Sequence, residues 1–252
     1  MRANLWSFCL LGAGMAAAIM DAQITEVPET VAPGRFLLEM DALTLQLNHD
    51  AGHKYQAIGA ATTYLSTGLT STLDLQLGAS LFLSEKVDTS GLSDSNSGIG
   101  DVHIRTKWRF YESKENYTTA AVMPYIKLPT NSGGVGNNAV EGGLIVPFGT
   151  QLAGGFIFNA MGQVDYLRND ADNGYDSRWR VAMAMTKRVT KAIGLYGELT
   201  AGKGTGGTPW EGLLGGGVLL AMSENFEWDF ALYTGISSGT DWSSAIRLNW
   251  RF

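Results

Sequence analysis

Thr72–Ser84 reads TLDLQLGASLFLS. Leu73, Leu75, Leu77, Ala79, Leu81 and Leu83 alternate with Thr72, Asp74, Gln76, Gly78, Ser80 and Ser84, with Phe82 the exception. Side chains of a strand point to opposite faces in turn, so this is a strand with one apolar and one polar side. Asp101–Tyr111 repeats the pattern: Val102, Ile104, Trp108 and Phe110 share a face with Thr106, while His103, Arg105, Lys107 and Arg109 share the other.

The same alternation runs outward along the chain and predicts strands near 35–48, 55–66, 72–84, 101–111, 117–128, 139–148, 151–167, 177–188, 192–202, 210–221, 226–236 and 242–252. Most reach the ~9–11 residues that a tilted strand needs to cross a bilayer. The first strand is the least regular, its apolar phase switching near Ala42, and 210–221 is blurred by Gly212, Gly215, Gly216 and Gly217. Connections after odd-numbered strands are long and polar (Glu85–Gly100, Pro129–Asn138, Arg168–Asp176, Lys203–Pro209), whereas those after even-numbered strands are tight (Gly149-Thr150, Val189–Lys191). Long outer loops and short periplasmic turns around an even number of antiparallel strands are the signature of an outer-membrane barrel. The expectation is an all-β, transmembrane antiparallel β-barrel of about 12 strands, over residues 35–252, with both termini in the periplasm and outer-membrane lipids around it.

Aromatics sort by depth. Phe36, Trp108, Phe110, Phe148, Phe226, Trp228, Trp250 and Phe252 fall near the periplasmic strand ends; Tyr166, Trp179, Trp210 and Trp242 fall near the opposite ends. Two girdles are expected where amphipathic rings meet the headgroups.

Ahead of the barrel, Arg2 precedes an apolar stretch from Leu5 to Met20 and then Asp21-Ala22-Gln23. A positive start, an apolar core and small residues describe a secretory signal peptide over 1–22, cut after Ala18 or, preferably, after Ala22. Cys9, the one cysteine, leaves with it, so no disulfide framework or cysteine metal site forms. Residues 23–34 are then expected to hang in the periplasm as a short segment, too brief for a plug domain. The net charge of −6 without a basic run argues against nucleic-acid binding. Glycine is high, 32 of 252 residues, but only six prolines accompany it, which excludes collagen-like and proline-rich disorder.

The closing strand alternates Trp242, Ser244, Ile246, Leu248, Trp250 and Phe252 with Ser243, Ala245, Arg247, Asn249 and Arg251. A terminal phenylalanine on such a strand resembles the signal read by the outer-membrane barrel assembly machinery, which makes Trp250 and Phe252 the assembly-signal residues and that machinery a partner. Ser66–Leu77 (STGLTSTLDLQL), Gly98–Tyr111 (GIGDVHIRTKWRFY) and Pro124–Gly133 (PYIKLPTNSG) resemble the outer-membrane transporter family linked to phenol degradation. The resemblance spans roughly 35–252 and rests on a Gly-x-Gly-Asp strand ending in Lys-aromatic-Arg-Phe, then a Lys-Leu-Pro-Thr strand exit. It implies uptake of small molecules, aromatic or hydrophobic ones among them.

Alternation places His103, Arg105, Lys107, Arg109, Lys127, Glu141, Asp165, Arg178, Arg180, Tyr196, Glu198, Glu227, Asp229, Arg247 and Arg251 in the lumen. Hairpin register sets Glu227 opposite Arg251, Lys127 opposite Glu141 and Asp165 opposite Arg178. Arg105, Lys107 and Arg109 come to face Thr119, Ala121 and Met123, leaving Asp74 as partner for Arg109 and making Arg105 and Lys107 the least neutralised charges of an anion-attracting wall.

No enzyme signature is found, and no cofactor or metal is expected. His49 and His53 fall in a connection, and His103 stands alone on its strand. Asp170-Ala-Asp172-Asn-Gly174 resembles part of a calcium loop but lacks the later carboxylate. Gly202–Gly207 has the wrong spacing for a phosphate loop and reads as a surface connection. The sequence leads to a passive channel. A structural or surface-interaction barrel with a side-chain-filled lumen, and then a barrel enzyme, stay open as alternatives.

Overall fold

The structure is a computed structural model. It describes residues 23–252 apart from 51–52, 90–91, 170–173, 206–208 and 238, and the side chains of Asp50 and His53. The proposed signal peptide with Cys9 and the calcium-like Asp170–Asn173 stretch therefore lie outside the described residues.

Thirteen strands form one antiparallel sheet: β1 (Phe36–Asp50), β2 (His53–Gly68), β3 (Leu73–Thr89), β4 (Leu92–Gly98), β5 (Val102–Ser113), β6 (Thr118–Leu128), β7 (Glu141–Leu152), β8 (Phe156–Arg168), β9 (Tyr175–Arg188), β10 (Ile193–Gly204), β11 (Glu211–Ala221), β12 (Phe226–Gly235) and β13 (Trp242–Arg251). Apart from β4 and β5, consecutive strands pair with each other, and β13 returns to β1. β4 and β5 share one partner: β4 pairs with the outer end of β3 and β5 with its inner end. They are one stave interrupted at Ile99–Asp101, so the barrel has twelve staves.

The sequence expected a polar loop over Glu85–Gly100. Most of it instead continues the ladder, as β3 runs on to Thr89 and β4 folds back along it. Likewise, the turn expected at Gly149-Thr150 falls later: β7 continues to Leu152, and a single 3-10 turn at Ala153–Gly155, with positive φ at Gly154 and Gly155, reverses the chain. His49 and His53 close β1 and open β2 rather than occupying a loop. Lys203 and Gly204 likewise belong to the end of β10.

The phase switch near Ala42 is a real irregularity. The β1–β13 register shifts between Asp41 and Leu43, and Ala61 on the neighbouring strand has φ 53°. On β2 the buried positions change from Tyr55, Ala57 and Gly59 to Thr62 and Ser66 across this point. On β3 they change from Asp74 and Gln76 to Leu83, so Phe82 and Leu81 both face out and Leu83, expected on the lipid side, lines the lumen. The kink thus crosses three staves at one level.

Outward positions form the apolar belt, with Leu65, Leu77, Leu144, Val181, Leu195, Leu214, Leu232 and Phe230 exposed. Below it, Phe36 stacks on Phe252 at 5.5 Å, Trp250 meets Phe252 at 4.7 Å, and Trp108 meets Phe110 at 6.1 Å. The seam closes through Phe36 N–H donating to Phe252 O at 2.9 Å and Phe252 N–H donating to Phe36 O at 3.0 Å. Inside, tyrosines lie flat over glycines of the adjacent strand. Tyr196 faces Gly217, where an added methyl would come within 2.6 Å of its ring, and Tyr125 faces Gly143, where the gap would be 2.8 Å. Part of the glycine excess is this room for large lumenal rings.

The chain before β1 does not hang in the periplasm. It rises from the rim, where Pro33 bridges to Gly68, into the barrel, where Ile24, Thr25 and Pro28 are buried. The reason is polar: inward strand side chains need partners, and this strap carries them.

Thr89 and Leu92 pair at one end of the barrel and the β5–β6 turn stands at the other; the alternation of long and short connections makes the first end the expected outer one. An epitope tag inserted between Thr89 and Leu92 is expected to bind antibody on intact cells, and one at Lys114–Asn116 is not. Surface labelling of the second site alone would invert the orientation.

Candidate functional site: a lumenal chamber

The strap is held at every level. Val31 N–H donates to both Asp74 oxygens at 2.9 and 3.0 Å near the rim. Lys107 Nζ donates to the Val27 carbonyl at 2.8 Å and lies 4.0 Å from the Glu26 carboxylate. Arg105 pairs with Glu26 at 2.9 Å while its guanidinium stacks over the Tyr64 ring at 3.8 Å. Further in, Glu198 accepts from Ile24 N–H at 3.1 Å, from Thr25 N–H and hydroxyl, and from the Tyr233 hydroxyl.

Arg105 and Lys107 are therefore not the least neutralised cations. Their partners come from a segment that carries no strand pattern. Burial alone would push the Glu26 carboxyl up, but Lys107 and then Arg105 outweigh it and hold it below its ordinary value of 4.5. Arg109, expected on Asp74, instead donates to the Ser71 carbonyl at 2.7 Å and lies 3.4 Å from Glu112. Its register also differs: Arg109 pairs with Ala121 and Arg105 with Tyr125, two residues from the expected partners, because the hairpin closes later, with Ser113 on Thr118, and the slip between Arg109 and Tyr111 takes back only one residue of that offset.

Above the strap, segment 129–140 folds inward as a roof. Asp101 accepts from the Thr130 and Asn131 backbone N–H groups at 2.9 and 3.0 Å, and Val135 is fully buried. Lys127 ties this roof to the wall, 3.0 Å from Asp101, 2.9 Å from Glu141, and donating to Asn137 Oδ1 at 2.6 Å. Lys127 and Glu141 are also ladder partners.

The remaining charges divide between cross-wall pairs and the space enclosed. Arg247 grips Asp41 through Nε at 2.8 Å and Nη2 at 3.1 Å. Asp229 accepts from the Tyr196 hydroxyl at 3.0 Å. Glu227 faces Asn249, not Arg251, and takes Arg188 as its ion partner; Arg251 stands exposed at the periplasmic end. Asp165 and Arg178 are ladder partners, yet Arg178 pairs with Glu211 at 2.8 Å, while Asp165 accepts from the Tyr125 hydroxyl and Gln163 Nε2.

Between strap and roof lies a cavity of about 210 Å3. Ile24 and Glu26 form its floor, Val135 and Asn137 its roof, and His103, Arg105, Tyr125, Asp165, Arg178 and Arg180 parts of its wall. Sequence alternation brought the wall residues to one surface. Glu26, Asp41, Asp101 and Glu211 went unnoticed because they stand on the strap, on the irregular first strand or at strand ends.

Glu26→Gln should free the strap. Its lowered titration means the anchor is complete above about pH 4.5 and fails only as pH falls through the folded value. Losing the charge-assisted hydrogen bond from Arg105 costs about 1.5–3 kcal/mol. Hydrogen exchange of the Ile24, Thr25 and Val31 amides, corrected for intrinsic rate, should accelerate roughly tenfold or more in the variant. Unchanged protection would show that Glu26 does not anchor the strap.

No protein of curated function matches the sequence. Among solved structures, an outer membrane channel from Pseudomonas putida F1 superposes with a TM-score of 0.68 at 13% identity, over 93% of this chain and 100% of that one. The NanC porin gives 0.55 at 9% identity, over 84% and 98%. The CymD monoaromatic hydrocarbon channel gives 0.51 at 10% identity, over 96% and 94%. At these identities the likeness concerns the fold: an outer-membrane barrel. The family model described as "Putative MetA-pathway of phenol degradation" matches residues 21–252, and the chain belongs to that family.

Proposed function

We propose that the protein is an outer-membrane channel for passive uptake of small molecules, aromatic or hydrophobic ones among them. The observation that carries this reading is the chamber of about 210 Å3, bounded at its two ends by non-strand segments rather than filled by wall side chains. A structural barrel has no need of an interior space with a separable floor and roof. Comparison with the CymD monoaromatic hydrocarbon channel supports the aromatic part of the reading, as does the family's description. Passage requires the strap to move, since Ile24–Val31 occupies the periplasmic half of the lumen.

The experiment is conductance in planar bilayers. The wild type should show small or intermittent currents, and deletion of residues 23–31 should raise them several-fold. Silence from both, with heat-modifiable barrels confirmed, would leave the structural reading in place.

Residues 1–22 serve in this reading as an export signal removed before assembly, and Trp250 with Phe252 as the feature engaged by the assembly machinery. Phe252 also closes the seam, so the two roles need separating. Phe252→Leu keeps the backbone bonds; if the aromatic ring is the signal, this variant should insert several-fold less than wild type while refolding normally in detergent. Equal insertion would remove the signal role.

A further inference from the structure

Arg180 stands apart among the inward cations. Arg105, Lys107, Lys127, Arg178, Arg188 and Arg247 each hold a carboxylate or a carbonyl. Arg180 lines the chamber, yet among the described residues its guanidinium makes no hydrogen bond or ion pair. The charged groups facing it are Arg178, Asp165 and Glu211, with Tyr125 beside them. Glu211 is taken by Arg178, and both donors to Asp165, Tyr125 and Gln163, meet its Oδ1. A guanidinium offers five donors in a planar fork that matches a carboxylate in two parallel bonds. A fork held in the chamber wall without a protein acceptor fits a visiting anion better than a wall strut.

The rest of the chamber defines the body of that anion. Ile24, Leu83, Val135, Ile145, Met161 and Leu213 supply apolar surface, and the Tyr64 and Tyr125 rings lie on the same side as Arg105. A cavity of ~150 Å3 accommodates benzene. The 210 Å3 here leaves room for one ring and one substituent. A dianion or a long chain would meet Asp165 and Glu26 as well, and both repel it.

We propose that the chamber holds a binding subsite for small aromatic monocarboxylates, with Arg180 taking the carboxylate and the apolar wall taking the ring. This rests on the channel reading for its purpose. It narrows that reading from small molecules in general to an anion with one apolar face, and it places the selecting cation on β9 rather than on β5.

The test is equilibrium binding to the full-length folded protein in detergent, by calorimetry, with benzoate against its neutral isostere benzamide. Wild type should prefer benzoate by about tenfold or more, the size expected for a charge-assisted fork. Arg180→Gln should abolish the preference and leave benzamide binding unchanged. Arg180→Lys, which keeps the charge but not the fork, should fall between. Asp165→Asn removes a carboxylate that faces the site and should tighten benzoate several-fold, so the proposal stays open to test even if R180Q fails to give a heat-modifiable barrel. Equal binding of benzoate and benzamide by wild type, or a benzoate preference that survives R180Q, would overturn the subsite. Because binding is read without transport, benzoate binding by a barrel that never conducts would sink the channel reading and spare the subsite. Conduction without a benzoate preference would do the reverse.

Discussion

A backbone amide facing lipid has no water to bond, so a sheet that crosses a membrane must return to its own first strand. Here that return is the β1–β13 ladder, carried to the last residue by the reciprocal bonds of Phe36 and Phe252. Closure fixes the side of every residue: one parity faces hydrocarbon, the other faces the lumen. The three-stave kink near Asp41, Ala61 and Phe82 is where that parity is exchanged without opening the ladder, because all three strands shift at the same level. An unmatched slip on one strand would have turned its polar residues toward lipid.

Parity then creates an electrostatic problem inside. Cations on the lipid face would cost about 2–4 kcal/mol each at mid-depth, so they point inward. A lumen this narrow is too poor in water to leave them unpaired without penalty. Wall-to-wall pairs such as Arg247–Asp41 solve this where register permits. On β5 it does so only in part: the facing residues of β6 are Tyr125 and Ala121, and on β3 Gln76 faces Arg105 while Asp74, across from Lys107, receives the strap's Val31 N–H. The strap supplies what the wall lacks: Glu26 for Arg105, and the carbonyl of Val27 for Lys107. Its place in the lumen follows from the composition of β5.

This explains which parts of the molecule could be read in advance. Strands were legible because lipid and lumen impose opposite demands at every second residue, and Ser243, Ala245 and Arg247 are buried as the alternation of the closing strand required. Turn positions were less legible. The β7–β8 reversal waits for Gly154 and Gly155, which tolerate positive φ, rather than for Gly149, which sits inside a ladder and against Pro28. Hairpin partners could be read where the turn was placed correctly, as for Lys127 with Glu141 and Asp165 with Arg178, and not where the strands close at other residues, as for Glu227, which faces Asn249, and for Arg105 and Arg109. The strap could not be read at all. Gln23–Gly34 has no periodicity, and its role depends on contacts with residues as distant in sequence as Glu198.

Two kinds of charge cluster follow, with different mechanical consequences. Pairs between strands, such as Arg178–Glu211 and Arg247–Asp41, tie elements already locked by backbone ladders; breaking one carries the penalty of an unpaired lumenal charge but moves no backbone segment. Clusters centred on Lys127 and on Glu26 tie non-strand segments to the wall. Because the roof and the strap lie outside the ladder, either can leave without exposing backbone to lipid. The energy barrier to opening the chamber is then set by a few side-chain contacts at each end, while the barrel wall stays closed. Twelve staves alone neither guarantee nor forbid a pore. What decides is that the material filling this one is attached by bonds that can be exchanged for water.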